Sequence, residues 1–124
     1  ASRLQALNRE LGTRVLASEA AARDAEGFVT RPLGRFLLLG KTAPLAVREL
    51  VSDADADVEL FEPFEAALAL FVRREFAAAR DAFARIAASA PGDGPTAFYV
   101  ARAERYIVDP PPPDWDGSVR VDVK

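Results

Sequence analysis

The sequence predicts an α+β protein in which a short layered part precedes a helical part. Two apolar runs, residues 36–39 and 45–51, are separated by a segment with Gly and Pro, which is typical of a β-hairpin. Further along the chain, apolar residues recur at helical spacing instead. We therefore divide the 124 residues into a layered part, 1–51, an acidic linker, 52–57, and a helical extension, 58–124.

The composition excludes several kinds of chemistry. The chain has no Cys and no His, so disulfides, zinc–thiolate sites and Ser–His or Cys–His nucleophiles are impossible within it. A net charge of −3 gives no electrostatic reason to expect nucleic acid or anionic lipid as a partner. No apolar run approaches the ~20 residues that span a bilayer. We therefore expect a segment without nucleic-acid or membrane contacts, in a reducing compartment, most simply the cytoplasm.

The layered part begins with three short elements. Residues 1–11 have the pattern of an amphipathic helix, which Gly12 ends by adopting the left-handed conformation. Residues 14–17 form an apolar strand, and Ser18 is placed to cap a brief helix over 19–25.

The apolar pattern is present from the first residues of the chain. Leu4, Leu7 and Leu11 recur at helical spacing, and no turn sequence precedes them. We therefore expect the chain to be the downstream part of a longer protein.

The hairpin follows a short extended lead. Residues 28–31 lead through 32–34 into the first apolar run. The stretch from Gly34 to Thr42 superficially resembles a phosphate-binding loop. That motif needs four residues between its glycines, whereas five separate Gly34 from Gly40, and most of them are strand formers.

The helical extension contains three predicted helices. Residues 73–75 form the turn between the first two helices, and Pro95 begins a third helix that ends near residue 107. The apolar stripes of the three helices are, in order, Leu60, Phe61, Phe64, Leu68 and Phe71; Phe76, Ala79, Phe83, Ile86 and Ala90; Tyr99, Ala103 and Tyr106. The spacing in the second helix matches a tetratricopeptide repeat (TPR), but a single helix pair cannot bury its face alone. A TPR-like hairpin covered by the third helix is therefore expected.

The tail combines a proline run with a predicted strand. Residues 110–113 are all Pro and are expected to be extended, with Trp115 as an anchor that holds the tail on the body of the protein. A proline-rich ligand for a partner is the alternative. Val119, Val121 and Val123 alternate with polar residues, as in an edge strand.

The acidic residues give no persuasive metal site or catalytic dyad. Asp53, Asp55 and Asp57 resemble the start of a calcium loop, but Val58 and Phe64 stand where Gly and a bidentate Glu are needed. A solvated linker explains them better. Other carboxylates have helix-surface or tail spacing and are interpreted as solvated: Glu59, Glu62, Glu65, Asp114 and Asp116.

Two segments together resemble the C-terminal half of class III nucleotidyl cyclase domains. Residues 1–20, ASRLQALNRELGTRVLASEA, are similar to the family's Val-Asn-x-Ala-x-Arg-Leu motif and its following Gly-Thr-x-Ile-Leu-x-Ser-Glu strand. Residues 31–50, RPLGRFLLLGKTAPLAVREL, are similar to the closing hairpin, Leu-Gly-x-x-x-Leu-Lys-Gly-Lys-x-x-Pro-Val-x-Val-x-Glu-Leu. Residues 58–124 resemble the extension of many bacterial cyclases, a TPR-like pair followed by Pro-Pro-Pro-x-Asp-Trp-Asp-Gly. The resemblance implies the C-terminal portion of a ferredoxin-like domain (helix, strand, short helix, hairpin) over residues 1–51.

The resemblance implies a catalytic role for Arg3. In the family this Arg stabilises the transition state while the 3′-hydroxyl of ATP attacks the α-phosphate and pyrophosphate leaves. A planar, permanently charged guanidinium suits charge that develops on phosphoryl oxygens. The family's accompanying Asn would lie directly before Ala1. From the residues alone, Arg3 is an exposed arginine on a helix surface.

The resemblance also implies a weaker role for Lys41 and places the metal site elsewhere. Lys41 matches the second Lys of the family's hairpin turn and would contact the triphosphate, whereas Leu39 replaces the first. A lysine in a surface turn is the alternative. The family's metal-binding Asp residues would lie upstream. The parent enzyme would therefore use Mg²⁺ or Mn²⁺ with ligands outside this chain.

The resemblance implies a bacterial adenylate or guanylate cyclase whose active sites are shared in a homodimer, with this chain inactive by itself. Cyclases with such an extension often carry a membrane-anchored sensor, so the resemblance also implies that the chain is the cytoplasmic part of a membrane-anchored protein. The second hypothesis is an interaction module over residues 60–107. Burial of five apolar residues within the chain would make a partner groove unnecessary: Phe64, Leu68, Phe71, Phe76 and Phe83.

Overall fold

The protein is a mixed α+β molecule with five helices and one four-stranded sheet in the residues that the structure describes. The computed structural model describes residues 2–13, 15–23, 27–38, 42–52 and 58–121. Of these, residues 2–5 and 58 are described by their backbone only. Two compact units are present, one formed by residues 1–57 with 118–124 and the other by Val58–Gly117. The acidic linker predicted over 52–57 falls, apart from Ser52, outside the described residues.

The first unit begins with helix α1, Ser2–Leu11. Gly12 ends it at a φ of 70°, and the Thr13 N–H donates to the Asn8 carbonyl over 2.9 Å. This is the Schellman arrangement, in which a left-handed residue turns the chain and satisfies an orphan carbonyl. The predicted helix end at Gly12 is therefore confirmed.

The sheet of the first unit has the strand order β1-β3-β2-β4. Its strands and the intervening short helix are β1, Leu16–Ser18; α2, Glu19–Arg23; β2, Phe28–Leu38; β3, Leu45–Ser52; and β4, Val119–Val121. The pairs β1/β3 and β2/β3 are antiparallel, so the predicted hairpin is confirmed. The Ser18 hydroxyl accepts the Ala21 N–H over 3.2 Å, which confirms the predicted cap of α2.

Strand β2 is longer than the sequence predicts. Residues 32–34 were expected to lead into the hairpin, but they lie inside one strand and form a bulge. The register passes from Pro32 opposite Arg48 to Gly34 opposite Val47, so Leu33 is the extra residue. Gly34 adopts a φ of 113°, which is accessible to a residue without a Cβ, and the bulge thereby absorbs the break that Pro and Gly suggested.

The predicted edge strand in the tail is confirmed for the described residues. Val119 and Val121 are buried, Arg120 between them is exposed, and β4 pairs in parallel with the end of β2 at the edge of the sheet. Val123 lies outside the described residues. The sequence-based division assigned 118–124 to the helical extension. The structure instead groups these residues with the sheet, because the strand finds its hydrogen-bonding partner there.

The second unit consists of three helices, α3, Val58–Val72; α4, Phe76–Ser89; and α5, Gly94–Val108. Eight of the thirteen predicted stripe residues are buried, whereas five are only half-buried: Leu60, Phe61, Leu68, Ala90 and Tyr106. Helix α5 packs on α4, and its Tyr99 ring also contacts Phe64 of α3, so α5 covers the pair as expected. Pro95 is the second residue of α5 rather than the first, because Asp93 is the N-cap and accepts the Thr96 N–H over 3.3 Å. The helical periodicity of the sequence was therefore sufficient to locate these helices.

Aromatic rings fill the centre of the second unit. Tyr99 of α5 stacks on Phe83 of α4, with ring centroids 5.1 Å apart and an interplanar angle of 11°. Phe64 of α3 meets both rings edge-on, at 5.3 Å from Phe83 and 5.9 Å from Tyr99. Each helix thus contributes at least one ring to a buried cluster, and such pairs stabilise a fold beyond their area burial.

Candidate functional site

Helix α1 carries Arg3 in its first turn. Ala6, Leu7 and Leu11 form the buried face of this helix. Residues three and four apart lie on the same side of a helix, so the α-carbon of Arg3 lies on that buried face, whereas Arg9 is exposed. The Arg3 side chain lies outside the described part of the structure. The helix therefore positions Arg3 on its packed side, and Arg9 on the same helix offers a matched comparison.

The second predicted site residue, Lys41, comes between β2 and β3 in the sequence and falls outside the described residues, as does Leu39. The strands that support the turn are described. The last paired residues are Phe36 and Leu45, and Phe36 is fully buried. The structure thus describes the two elements that carry Arg3 and Lys41, α1 and the β2–β3 hairpin, within one unit.

Two arginines of the hairpin, which the sequence analysis did not single out, are held by polar partners. Arg31 is 3% exposed and lies directly opposite Glu49, with 3.5 Å between Nη1 and Oε1. Arg48 donates from Nε to Glu19 over 2.9 Å and from Nη1 to Thr30 over 3.0 Å. Charge pairs that lie opposite each other on neighbouring strands stabilise the sheet. These contacts tie α2 and both hairpin strands together, and a structural role explains them.

The carboxylates named in the sequence analysis do not gather into a site. The three on α3 and the two in the tail are exposed, as their surface spacing predicted: Glu59, Glu62, Glu65, Asp114 and Asp116. Within the described ranges, no group of three or more acidic side chains has an arrangement that holds a metal ion. The described residues therefore do not supply a ligand set for Mg²⁺ or Mn²⁺.

Tyr99 is the titratable group whose environment is most strongly altered among those described. Burial raises the pKa of its phenol well above the ordinary value of 10, and the nearby Arg102 charge opposes this only in part. A phenol that keeps its proton in a packed aromatic cluster is a core group rather than a general base.

The turn between α3 and α4 binds the proline run. Arg74 donates from Nη2 to the Pro111 carbonyl over 2.8 Å and from Nη1 to the Pro112 carbonyl over 3.0 Å. The same guanidinium carbon lies 6.0 Å from the ring centroid of Phe76 and 5.9 Å from that of Trp115. The planar fork of arginine suits two neighbouring carbonyls and an aromatic face at once. We call Arg74, Trp115 and the carbonyls of Pro111 and Pro112 the proline latch.

The backbone of Arg74 is unusual because its φ is 69°. The Glu75 N–H donates to the Leu70 carbonyl over 3.0 Å, and the Arg74 N–H donates to the Phe71 carbonyl over 3.0 Å. This is again a Schellman motif, at a position where Gly is the usual residue. An arginine there accepts backbone strain, and the contacts of its side chain offset it. In the sequence, this position is indicated by the absence of glycine from the turn at residues 73–75.

Trp115 holds the tail on the second unit, as the sequence predicted. Its ring centroid lies 5.6 Å from those of Phe71 and Phe76 and 5.8 Å from that of Tyr106. Its backbone N–H donates to the Pro112 carbonyl over 3.0 Å, which turns the chain after the proline run. The anchor prediction is therefore confirmed.

A shallow apolar groove of about 400 Å³ lies along the outer side of α3. Leu68, Ala69 and Val72 form its floor, and Glu65 and Arg73 line it as well. Leu68 was predicted to lie in the core stripe, but it is only half-buried and faces this groove. The four phenylalanines that were expected to be buried with it are buried within the protein: Phe64, Phe71, Phe76 and Phe83.

Comparison with protein-family models, with curated proteins and with solved structures returned no significant match to this chain. None of the helices in the described part of the chain has the length and apolarity needed to cross a lipid bilayer.

Proposed function

We propose that this chain is the C-terminal part of a bacterial class III nucleotidyl cyclase domain followed by a helical extension. The parent enzyme would convert ATP, or GTP in the guanylate variant, to the cyclic nucleotide and pyrophosphate. The observation that carries the proposal is the order α1–β1–α2–β2–β3, which follows the order of the two segments that resemble this family. The motif that includes Arg3 falls on α1, and the motif that includes Lys41 falls on the hairpin.

Arg3 would act on the charge that develops at the α-phosphate. A guanidinium is permanently charged and presents donors in a plane, so it stabilises phosphoryl oxygens most when their charge is greatest. The position of Arg3 in the first turn of α1, the helix on which the family's motif falls, supports this role.

Lys41 would contribute a point charge to the triphosphate from the hairpin turn. The two strands that flank the segment with Lys41 in the sequence contain the buried Phe36 and the Arg31–Glu49 pair. Lys41 would hold the leaving pyrophosphate, whereas Arg3 would act on the reacting phosphate.

The described residues do not fit the divalent ion that such an enzyme uses. Mg²⁺ in nucleotide sites is held by one or two carboxylates together with phosphate oxygens, and the exposed acids of α3 and the tail are not grouped for this task. The proposal therefore places the ligands of Mg²⁺ or Mn²⁺ upstream of Arg3 in the parent protein. A second cyclase domain of a homodimer would complete each site. The proposed location is the cytoplasm, as part of a membrane-anchored protein.

Reading the coding DNA upstream of Ala1 tests the proposal first. We expect an in-frame Val-Asn directly before Ala1 and two separated Asp codons further upstream. This chain alone should form no cyclic AMP from ATP with Mg²⁺ or Mn²⁺. Product above background from the chain alone, or an unrelated upstream sequence, would contradict the proposal.

The groove on α3 supports a second candidate function, an interaction module. Val72 is 46% exposed at the end of the apolar floor that Leu68 and Ala69 form, so this face is available for contact. The four phenylalanines are buried inside the unit, so they are not part of such a contact surface. A Leu68→Asp variant that stays folded and loses no binding partner of the parent protein would count against this candidate.

A further inference from the structure

We propose that the helical unit carries a binding site for a proline-rich peptide of another protein, and that the proline latch is the occupation of this site by the chain's own tail. The peptide that the site fits has two adjacent prolines followed, after a two-residue turn, by a tryptophan. The site lies wholly within the second unit and shares no lining residue with the groove on α3. The proposal does not depend on the cyclase proposal.

All three helices build the surface on which the tail lies. Phe71 of α3, Phe76 of α4 and Tyr106 of α5 surround the Trp115 ring, at centroid distances of 5.6, 5.6 and 5.8 Å. The three rings also contact one another, at centroid distances of 5.3 to 5.6 Å. We call these three rings, together with the Arg74 guanidinium, the tail-binding surface. The contacts among its rings are made by helix residues alone, so the helices hold this surface in place.

The polar part of this surface recognises main-chain carbonyls. Arg74 donates to the Pro111 carbonyl over 2.8 Å and to the Pro112 carbonyl over 3.0 Å. Two adjacent carbonyls suit the planar fork of a guanidinium, and a proline run has no N–H groups that would pair with them. Aromatic surfaces are a recurring means of binding such preformed extended segments. The surface therefore combines the polar and the apolar groups that a proline-rich peptide requires.

The tail has a shape that matches the surface. The Trp115 N–H donates to the Pro112 carbonyl over 3.0 Å and closes a turn with Pro113 and Asp114 at its centre. Proline is favoured at the second position of such a turn because its φ is already fixed. The turn brings the Trp ring and the Pro112 carbonyl to the same surface. A restrained peptide loses less conformational entropy on binding, so a short segment is sufficient.

The tail lies on this surface rather than in the core. Pro112 is exposed and Trp115 is only half-buried, whereas Phe71 beneath them is fully buried. Helix α5 closes before the proline run, where the Asp109 N–H donates to the Arg105 carbonyl over 2.8 Å. The helix therefore has its terminal hydrogen bond without the tail. A segment of another protein that makes the same contacts can take the place of the tail.

The backbone of Arg74 favours a recognition role for its side chain. Its φ of 69° is a conformation that Gly adopts with less strain. The turn uses only backbone atoms of this residue, and its guanidinium is exposed and contacts the tail. Residues that hold a strained backbone conformation cluster at binding sites. The side chain is therefore the part of Arg74 that such a site would use.

Occupation by the tail sets a threshold for the partner. A segment tethered by a short connection competes at an effective concentration on the order of 1 mM. A tail that is docked in roughly ten molecules for each open one corresponds to a Kd of about 0.1 mM for the same peptide when it is not tethered. A partner of that affinity displaces the tail only when its own concentration is higher.

Fluorescence anisotropy of a dye-labelled peptide with the sequence of residues 109–117 tests the proposal on the 124-residue chain. The Trp115→Ala variant empties the aromatic part of the site and should bind the peptide with a Kd of about 0.1 mM. The wild-type chain should bind it roughly 10-fold more weakly, because its own tail competes. A peptide with Ala in place of the Trp should not bind.

The contribution of the guanidinium is measured in the Trp115→Ala background. Adding Arg74→Gly, which keeps the left-handed backbone, should weaken binding roughly 10-fold through the loss of two carbonyl hydrogen bonds. Adding Arg85→Ala, which removes an exposed arginine of α4, is the matched control and should leave the affinity unchanged.

Absence of saturable binding by a folded Trp115→Ala chain at millimolar peptide would overturn the proposal. Equal affinities after Arg74→Gly and Arg85→Ala would also overturn it, because the peptide would then bind elsewhere. If Trp115→Ala loses the helical circular dichroism signal, Trp115→Phe, which keeps a ring in the site, replaces it and the same Arg74 comparison decides.

Sedimentation of the wild-type chain separates a second copy of the chain from a different partner. A dimer that Arg74→Gly dissociates would identify the tail of a second copy as the occupant and would overturn the proposal of a separate partner. A monomer in both cases, together with Arg74-dependent peptide binding, supports the proposal. None of these measurements requires cyclase activity, so failure of the cyclase proposal remains distinguishable.

Discussion

Raising the pH above 10 should weaken the helical unit through Tyr99. The phenol is buried among aromatic rings, and burial raises its pKa far above the value of 10 that it has in an unfolded chain. Below pH 10 the phenol keeps its proton in both the folded and the unfolded state, so Tyr99 adds no pH dependence to the free energy of unfolding there. Above pH 10 only the unfolded state releases the proton, and the folded state loses stability as the pH rises. The experiment therefore varies the pH, and the Tyr99→Phe variant should lack this loss of stability.

The magnitude follows from linkage. While the unfolded phenol is ionised and the folded one is not, the free energy of unfolding falls by about 1.4 kcal/mol per pH unit. Between pH 10 and pH 11.5 this amounts to about 2 kcal/mol. The phenol is fully buried, so solvent screening does not reduce this figure. Tyr99→Phe keeps the stacking on Phe83 and abolishes the ionisable group.

Urea unfolding at pH 9 and pH 11.5, followed by the fluorescence of Trp115, measures this difference. Trp115 is the single Trp of the chain and lies in the helical unit, so its transition reports on that unit. Wild type should lose about 2 kcal/mol more than Tyr99→Phe between the two pH values. Tyr106→Phe, which leaves Tyr99 in place, should keep the wild-type dependence. Equal losses in wild type and Tyr99→Phe would refute the reasoning.

Three local features of the helical unit are tested by urea unfolding of single-residue variants. Arg74→Ala should lower the free energy of unfolding by about 2 kcal/mol, because the hydrogen bonds and cation–π contacts of the guanidinium are lost. Arg74→Gly should lower it by about 1 kcal/mol less, because Gly fits the left-handed backbone. Equal losses in the two variants would contradict the proposed backbone strain at Arg74. Gly117→Ala should lower the free energy of unfolding by about 1–2 kcal/mol, because the φ of Gly117 is +89° and a Cβ there would lie 3.0 Å from a Val72 methyl. Gly92→Ala is the control and should be nearly neutral, because a Cβ there would have no atom within 4 Å. Asp93→Ala removes the α5 cap and should cost about 1 kcal/mol; no change would refute the cap.

The helices and the hairpin were accessible from the sequence because their signals are local. A 3.6-residue apolar period located α3, α4 and α5, and Gly12 marked the end of α1. Serine at position 18 was enough to identify the cap of α2. These features depend on residues a few positions apart, which is the range over which propensity and capping act.

The features that the sequence analysis missed depend on tertiary contacts. Pro32 and Gly34 are normally strand breakers, yet a bulge accommodates them because β3 continues to pair on both sides. Alternating valines indicated a strand after residue 118, but they carry no information about its partner, which lies about 80 residues earlier in β2. Likewise, nothing local links Arg74 to Pro111, since that contact requires the folded helices.

The candidate site was predictable only in outline. Arg3 and Lys41 came from a family resemblance, and helical spacing adds that the Arg3 α-carbon lies on the packed face of α1. The Arg31–Glu49 pair was not predicted, because an arginine in a strand is normally solvated and only the register places a carboxylate opposite it.

The most direct test of the cyclase proposal is the rate of cyclic AMP formation by the intact parent protein and its Arg3→Ala and Arg9→Ala variants. Loss of one donor to a developing oxyanion commonly lowers kcat by about 10²- to 10³-fold, and we expect this loss for Arg3→Ala with an unchanged circular dichroism spectrum. Arg9→Ala, which removes an exposed arginine from the same helix, should retain the wild-type rate. Absence of cyclic nucleotide formation by the intact wild-type protein from either ATP or GTP, or full activity in Arg3→Ala, would contradict the proposal.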